Sequence, residues 1–301
     1  MSKQTIASAS RWRFVLILVA ALAPETASAD DAKIVAHPAL WTIHGAVGTA
    51  YLLGSVHALP PNVSWRSNEI DSAAKAADTY IFEVPNGQAE VDEATRYIRE
   101  RGRLPEGKTL HDMLSTSAHR DYAAACALAG MDESSLDDKR PWLAAIVLTV
   151  AYMKQRHLTS TNSPDDAYFE TALRDGKALR YLDTTHEQLE FLSRYDQTKG
   201  VDGFSAMLGD FARQPEREDA LISAWASGNL ASMSNLIERS FENDPEDVRL
   251  IAERNRVWAS KLEDLLSNNH SYFVVVGIAH LVGKAGVPAL LRADKLRVEG
   301  P

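Results

Sequence analysis

Two histidines stand three residues after a glycine, each at the end of a short apolar run. Tyr51-Leu52-Leu53 leads into Gly54-Ser55-Val56-His57, and residues 272–276 lead into Gly277-Ile278-Ala279-His280. Each run has the length and the aromatic or β-branched content of a buried strand. Each glycine permits a sharp exit or a close backbone approach. Both imidazoles are therefore expected just past the carboxyl end of a strand, the edge at which helix-flanked sheets bind ligands. Two more strand-like runs end in carboxylates: 79–84, with Glu83, and 178–183, with Asp183. Two imidazoles with one or two carboxylates make a sensible donor set for a divalent transition ion. Imidazole suits zinc, iron and cobalt, and carboxylates tilt the set toward manganese or iron. An ion with an open coordination position lowers the pKa of water toward neutrality and polarises a carbonyl.

The bland alternatives are specific. A lone histidine at a strand end is commonly a satisfied loop residue, and Asp183 could serve only the positive end of the following helix. Glu83 follows Tyr80-Ile81-Phe82 in a run that reads as buried on both faces, and a lone buried carboxylate is costly without a partner. The coincidence of all four groups at one edge favours function. A Ser55–His57 dyad has the spacing to form but no evident third member. His186-Glu187 opens like a zinc-protease helix, yet Glu190 stands where the second histidine is needed. Phosphate-loop, dinucleotide and Gly-x-Ser-x-Gly patterns are absent from the sequence.

The elements that must position these groups follow from punctuation and period. Runs 40–46 and 49–54 read as a hairpin, and 67–77 as a helix. From 88 to about 160 the pattern is helical. Helix 166–174 precedes strand 178–183, after which Thr184 caps a helix over 186–194. Residues 201–268 are mostly helical, 272–277 is a strand, a helix follows to about 293, and 296–298 is a short strand. The fold class is α/β, a mixed sheet with strands at both ends of the chain and a large helical insertion over about 88–160. The expectation is a single domain over 30–301, preceded by a signal peptide over 1–29.

That leader rests on Arg11 and Arg13 before an unbroken apolar run at 14–23 and on the small residues Ala27-Ser28-Ala29. Cleavage near Ala29/Asp30 would deliver the protein to the periplasm or outside the cell, and no later stretch is apolar enough to span a membrane. The formal net charge is −9 for the whole chain. An acidic surface argues against nucleic acid as a partner. The single cysteine, Cys126, rules out an internal disulfide, a cysteine zinc site and an iron–sulfur cluster.

Five ordered segments resemble the TraB/GumN family. They are 51–60 with the first Gly-x-x-His, 81–84 with Glu83, 182–188 (Leu-Asp-Thr-Thr-His-Glu-Gln), 254–258 with Arg254-Asn255 and Trp258, and 275–287 with the second Gly-x-x-His. The wider superfamily includes the Tiki metalloproteases, the haem-binding ChaN lipoproteins and the erythromycin esterases. The resemblance implies two related β/α halves with helical inserts. It also implies a divalent ion (Mn, Co, Zn or Fe) on His57, Glu83 and His280, with Arg254 and Asn255 as supporting polar groups. Asp166 falls where the family often has the aspartate of "GvD", although Pro164-Asp165 replaces the Gly-Val before it. Asp183 stands where Glu is usual, a methylene shorter. The leading expectation is a metal-dependent hydrolase, a peptidase acting on a peptide or envelope-protein substrate. Its catalytic set is Glu83, His57, Asp183 and Arg254, and its metal set is His57, Glu83, His280 and Asp166. The alternatives are a non-catalytic haem-, metal- or partner-binding envelope protein, and a metal-free esterase using His and Glu.

Overall fold

The strands that end in the two histidines and in Glu83 lie side by side at the middle of one mixed sheet. The structure is a computed structural model that describes residues 33–241 and 245–301. The expected leader over 1–29, with its cut near Ala29/Asp30, lies outside the described residues. The strands are β1 (Ile34–Val35), β2 (Leu40–His44), β3 (Thr49–Ser55), β4 (Val63–Ser64), β5 (Thr79–Phe82), β6 (Ala178–Tyr181), β7 (Ser271–Gly277) and β8 (Arg297–Glu299). Six of them form a sheet in the order β6-β5-β7-β3-β2-β8, and β1 pairs with β4 alone. Strands β6, β5, β7 and β3 are mutually parallel, so their carboxyl ends share one edge. Strand β2 runs antiparallel to β3 and forms the expected hairpin with it.

Burial follows place in the sheet. All four residues of β5 and all but the first of β7 are buried, which is why both read as continuous apolar runs rather than alternating ones. The edge strands β6 and β8 alternate between exposed and half-buried residues. Because each apolar central strand is covered on both faces, the polar residues that follow it gather at the edge where the cover ends.

The helices are α1 (Asn68–Ala76), α2 (Gln88–Arg101), α3 (Leu110–Met113), α4 (Thr116–Leu128), α5 (Pro141–Gln155), α6 (Pro164–Arg174), α7 (Thr185–Thr198), α8 (Gly200–Phe211), α9 (Gln214–Ala226), α10 (Leu230–Phe241), α11 (Pro245–Leu266) and α12 (Val287–Ala293). Helices α2 to α5 occupy the expected insertion. Helix α6 starts two residues before the expected 166, because Ser163 caps it and Pro164 fills its first turn. The continuous helix expected after β7 is a 3-10 turn over Ile278–His280, then a loop, then α12. Gly283 in that loop has φ +76, which breaks the helical path. Among the described residues no helix is long and apolar enough to cross a membrane.

Candidate functional site

The two Gly-x-x-His units meet across the β3–β7 pairing, where Gly54 is opposite Val276 and Ser55 is opposite Gly277. Each glycine makes room for the other unit. A Cβ on Gly54 would meet Ile278 Cδ1, and a Cβ on Gly277 would lie 3.1 Å from His57 Nε2 and 3.2 Å from Glu83 Oε1. Glycine is required here for close approach rather than for unusual backbone angles, since Gly277 has φ −53 and ψ 131.

Glu83 is the residue that follows β5, next to β7, and is 4 % exposed. Its Oε1 accepts the Gly277 backbone N–H at 2.7 Å. Its Oε2 is buried and has no hydrogen-bond partner, and Arg254 Nη2 lies 3.9 Å from it. His57 Nε2 lies 3.8 Å from Glu83 Oε1.

The other face of the His57 ring is engaged by a residue the sequence reasoning passed over. Asp165 Oδ2 lies 3.1 Å from His57 Nδ1. Ser163 caps α6 by accepting the Asp166 N–H at 3.2 Å, and this places Asp165 in the first turn. The loop after His57 is zipped to the loop before α6. Leu59 and Thr159 exchange both backbone hydrogen bonds, and Asn162 Nδ2 donates to the Pro60 and Val63 carbonyls. Asp166, the residue singled out from the sequence, adds its charge to the His57 environment, but its neighbour Asp165 makes the contact. The bridging loops could not be read from hydrophobic pattern; the Asp-Asp pair after Ser163-Pro164 was the only available signal.

Burial pulls the His57 pKa down, but the charge and hydrogen bond of Asp165, with the charges of Glu83 and Asp166, outweigh it and hold the value at about 9. Burial would raise the Asp165 carboxyl, but the charge and hydrogen bond of His57 keep it below the ordinary carboxylate value. Burial raises Asp166, with the Ser160 hydroxyl acting against it.

His280 is 2 % exposed, and its Nδ1 is 2.5 Å from Asn255 Oδ1. Asn255 Nδ2 donates to the Ala285 carbonyl at 2.8 Å, so its oxygen must face the ring and His280 Nδ1 carries the hydrogen. The hydrogen-bond network therefore assigns Nε2 as the unprotonated nitrogen. Burial, with the positive charges of Arg254 and His57, pushes the His280 pKa well below the ordinary imidazole value and keeps the ring neutral. Trp258 packs against it with ring centroids 4.4 Å apart.

Helix α11 supplies three of these groups from one face, since Arg254, Trp258 and Lys261 are four and three residues apart. Asp183 accepts from Arg254 Nε at 2.7 Å through Oδ2 and from Trp258 Nε1 at 2.9 Å through Oδ1, with Lys261 Nζ at 3.9 Å. Both oxygens of Asp183 are thus spent on α11, and its role in this structure is to hold Arg254 beside Glu83. Arg254 Nη2 donates to Gln188 Oε1, and the guanidinium lies 4.6 Å from the Trp258 ring and 5.2 Å from the Phe191 ring. Thr184 and Glu187 form a reciprocal cap on α7: Glu187 Oε2 accepts the Thr184 N–H at 2.7 Å, and Thr184 Oγ1 accepts the Glu187 N–H at 3.1 Å. That cap fixes the turn from which Gln188 reaches Arg254.

The chemistry of the donors suits a divalent ion. His57 and His280 each have Nδ1 committed to an oxygen acceptor, the arrangement that orients metal-ligating imidazoles through Nε2. Glu83 has a buried oxygen with no partner, and Gly277 leaves open the space a Cβ would fill. Among the described residues, no group of three or more His, Cys, Asp or Glu side chains could hold an ion as placed. The close donor pair is His57 with Glu83.

A family model described as TraB/PrgY/gumN family matches residues 39–300. No curated protein and no solved structure matches the chain. The match runs over nearly all of the described residues and includes every group named above, so the chain belongs to the TraB/PrgY/gumN family.

Proposed function

We propose that this member of the TraB/PrgY/gumN family is a metal-dependent hydrolase of peptide bonds, exported to the periplasm or outside the cell. The observation that carries this reading is the matched orientation of the two imidazoles. Asp165 takes the Nδ1 side of His57 and Asn255 takes that of His280. His57, Glu83 and His280 would hold the ion, which supplies Lewis-acid polarisation of a carbonyl and activation of water. Asp165 fixes the His57 ring and strengthens it as a donor. A carboxylate beside the ion would take a proton from attacking water and pass it to the leaving amine. Arg254, held by Asp183 and Gln188, adds positive charge beside the site where an oxyanion develops. The basic segment, apolar run and small-residue cut at the N-terminus support export.

Titration of chelator-treated protein with Mn, Co, Zn and Fe tests the reading. One ion should bind per chain, His57→Ala and His280→Ala should each abolish binding, and peptide hydrolysis should need the ion. Absence of binding in the wild type, or binding unchanged in both variants, rejects it. The depth of Glu83 and His280, 4 % and 2 % exposed, favours a second reading in which the same donors hold an ion, haem or an envelope partner without turnover. Binding lost in the two variants with no hydrolysis in the wild type would select it.

A further inference from the structure

The loop that leaves Glu83 carries the chain's one Asn-Gly pair, Asn86-Gly87. Such a pair can react with itself, because the glycine nitrogen attacks the asparagine side-chain carbonyl where both groups are free and no side chain shields them. Both residues are exposed and lie between β5 and α2, outside either element. Gly87 is the N-cap of α2, with φ −77 and ψ 179. The helix uses its carbonyl, which accepts the Val91 N–H at 3.1 Å. The Gly87 N–H itself has no acceptor among the described residues. Apart from its chain neighbours, only the Glu90 carboxyl group comes within 4 Å of a Cβ built on Gly87, with Oε2 at 2.7 Å. The nitrogen is therefore open to its own neighbour's side chain. Comparable pairs elsewhere lack this freedom. Asn162 precedes a small residue too, but its Nδ2 donates to the Pro60 and Val63 carbonyls and the Ser163 N–H donates to the Ser160 carbonyl at 2.7 Å. Aspartate before glycine reacts by the same route, yet at Asp175-Gly176 and Asp202-Gly203 the glycine N–H groups are spent on the Leu173 and Lys199 carbonyls.

We propose that Asn86-Gly87 is a site of spontaneous covalent modification, converting through a succinimide to aspartyl and isoaspartyl forms. The inference stands apart from the hydrolase reading. Hydroxide takes the Gly87 N–H proton, and the nitrogen forms a bond to Asn86 Cγ. The bond from Cγ to the side-chain nitrogen breaks, and ammonia leaves. Water then adds to one of the two ring carbonyls and reopens the ring. Opening at Cγ restores the main chain with aspartate at 86. Opening at the main-chain carbonyl carbon routes the chain through Cγ and gives isoaspartate. Nothing is oxidised or reduced. Both products place a new negative charge just before α2, where the positive end of the helix favours it. The isoaspartyl form also adds one carbon to the main chain between Glu83 and the Gly87 carbonyl that α2 uses, so the start of α2 shifts relative to Glu83.

The test is peptide mapping by mass spectrometry of the purified, folded protein, aged in warm, mildly alkaline buffer and digested in acid. The peptide holding Asn86 should gain the mass of NH2 replaced by OH, in a fraction that grows with ageing time. Isoaspartyl methyltransferase should transfer a methyl group to that peptide. Peptides holding Asn162, Asp175 and Asp202 should remain unmethylated. Gly87→Ala keeps allowed backbone angles and meets only the tip of the Glu90 side chain, so it should fold and convert about tenfold or more slowly. An Asn86 peptide that does not change with ageing overturns the inference, as does equal conversion in Gly87→Ala shown folded by circular dichroism. A mass gain at Asn86 with no isoaspartyl form also overturns it, in favour of direct hydrolysis of the amide. Methylation of the Asn162, Asp175 or Asp202 peptide to the same extent would overturn the argument from the free Gly87 nitrogen.

Discussion

Gly277 of the second Gly-x-x-His unit lies directly against His57 of the first, with 3.1 Å between a Cβ built on the glycine and the ring Nε2. The same position would be 3.2 Å from Glu83 Oε1, whose bond to the Gly277 N–H holds the carboxylate in place. One glycine therefore sets the spacing of the site's closest donor pair.

Gly277→Ala should consequently harm the site more than the fold. Its backbone angles suit alanine, so the cost comes from pushing His57 and Glu83 by a few tenths of an ångström. Thermal unfolding should show a loss of about 1–3 kcal/mol, the range for an overpacked core. Titration calorimetry should show ion binding weakened beyond what that loss explains. Wild-type affinity in the variant would remove the spacing argument.

Asp165→Asn keeps the shape of the side chain and removes its charge. The His57 ring then loses the carboxylate that orients it, and ion affinity should fall about 10–100-fold, together with the stability the His57–Asp165 pair contributes. Asp166→Asn, one residue along, should have the smaller effect, because it acts on His57 by charge whereas Asp165 also makes the hydrogen bond. Calorimetric titration of both variants checks the order, and the reverse order would restore Asp166 as the working residue.

Trp225 of α9 donates its indole N–H to the Gly54 carbonyl at 2.8 Å, tying the start of the first Gly-x-x-His turn to a helix far along the chain. Trp225→Phe keeps an aromatic ring and leaves that buried carbonyl unpaired, a cost of about 1–3 kcal/mol. Denaturant unfolding measures it; a change within a few tenths of a kcal/mol would show that the carbonyl finds another donor.

Asp196 gives a pH dependence away from the site. Burial raises its carboxyl from 3.8 to about 6, against the pull of the Trp142 N–H at 2.9 Å and of Arg140. The folded state therefore binds this proton more tightly than the unfolded state. Its contribution is fully present below pH ~4 and is lost as pH rises through about 6. Asp196→Asn should remove that loss. Each tenfold difference in proton affinity between the two states is worth ~1.4 kcal/mol, reduced here by solvent screening. Relative to wild type the variant should therefore gain up to about 2 kcal/mol between pH ~4 and ~7.5. Equilibrium unfolding at the two pH values reads the difference, and parallel curves would rule it out.

The parts of this site legible in the sequence are those carried by strands. His57, Glu83 and His280 each follow an apolar run, and a run of that kind fixes both the element and the edge where it ends. Asp165 was not legible, because its place depends on two loops that pair with each other, Leu59 with Thr159 and Asn162 with Pro60 and Val63. Nor was the meeting of Gln188 with Arg254, since Gln188 read as a residue of the first turn of α7 and Arg254 as one of a polar helix face. Among the elements, the helix expected directly after β7 failed at Gly283, where a left-handed backbone stops a sequence whose apolar spacing still suits a helix.

The central claim is that His57, Glu83 and His280 jointly hold one divalent ion. Anomalous X-ray diffraction from crystals soaked in manganese, recorded at the metal edge for wild type and His57→Ala, tests it most directly. The account predicts one strong peak per chain between those three side chains in the wild type and none in the variant. A wild-type map without a peak there, or the same peak in His57→Ala, would contradict it.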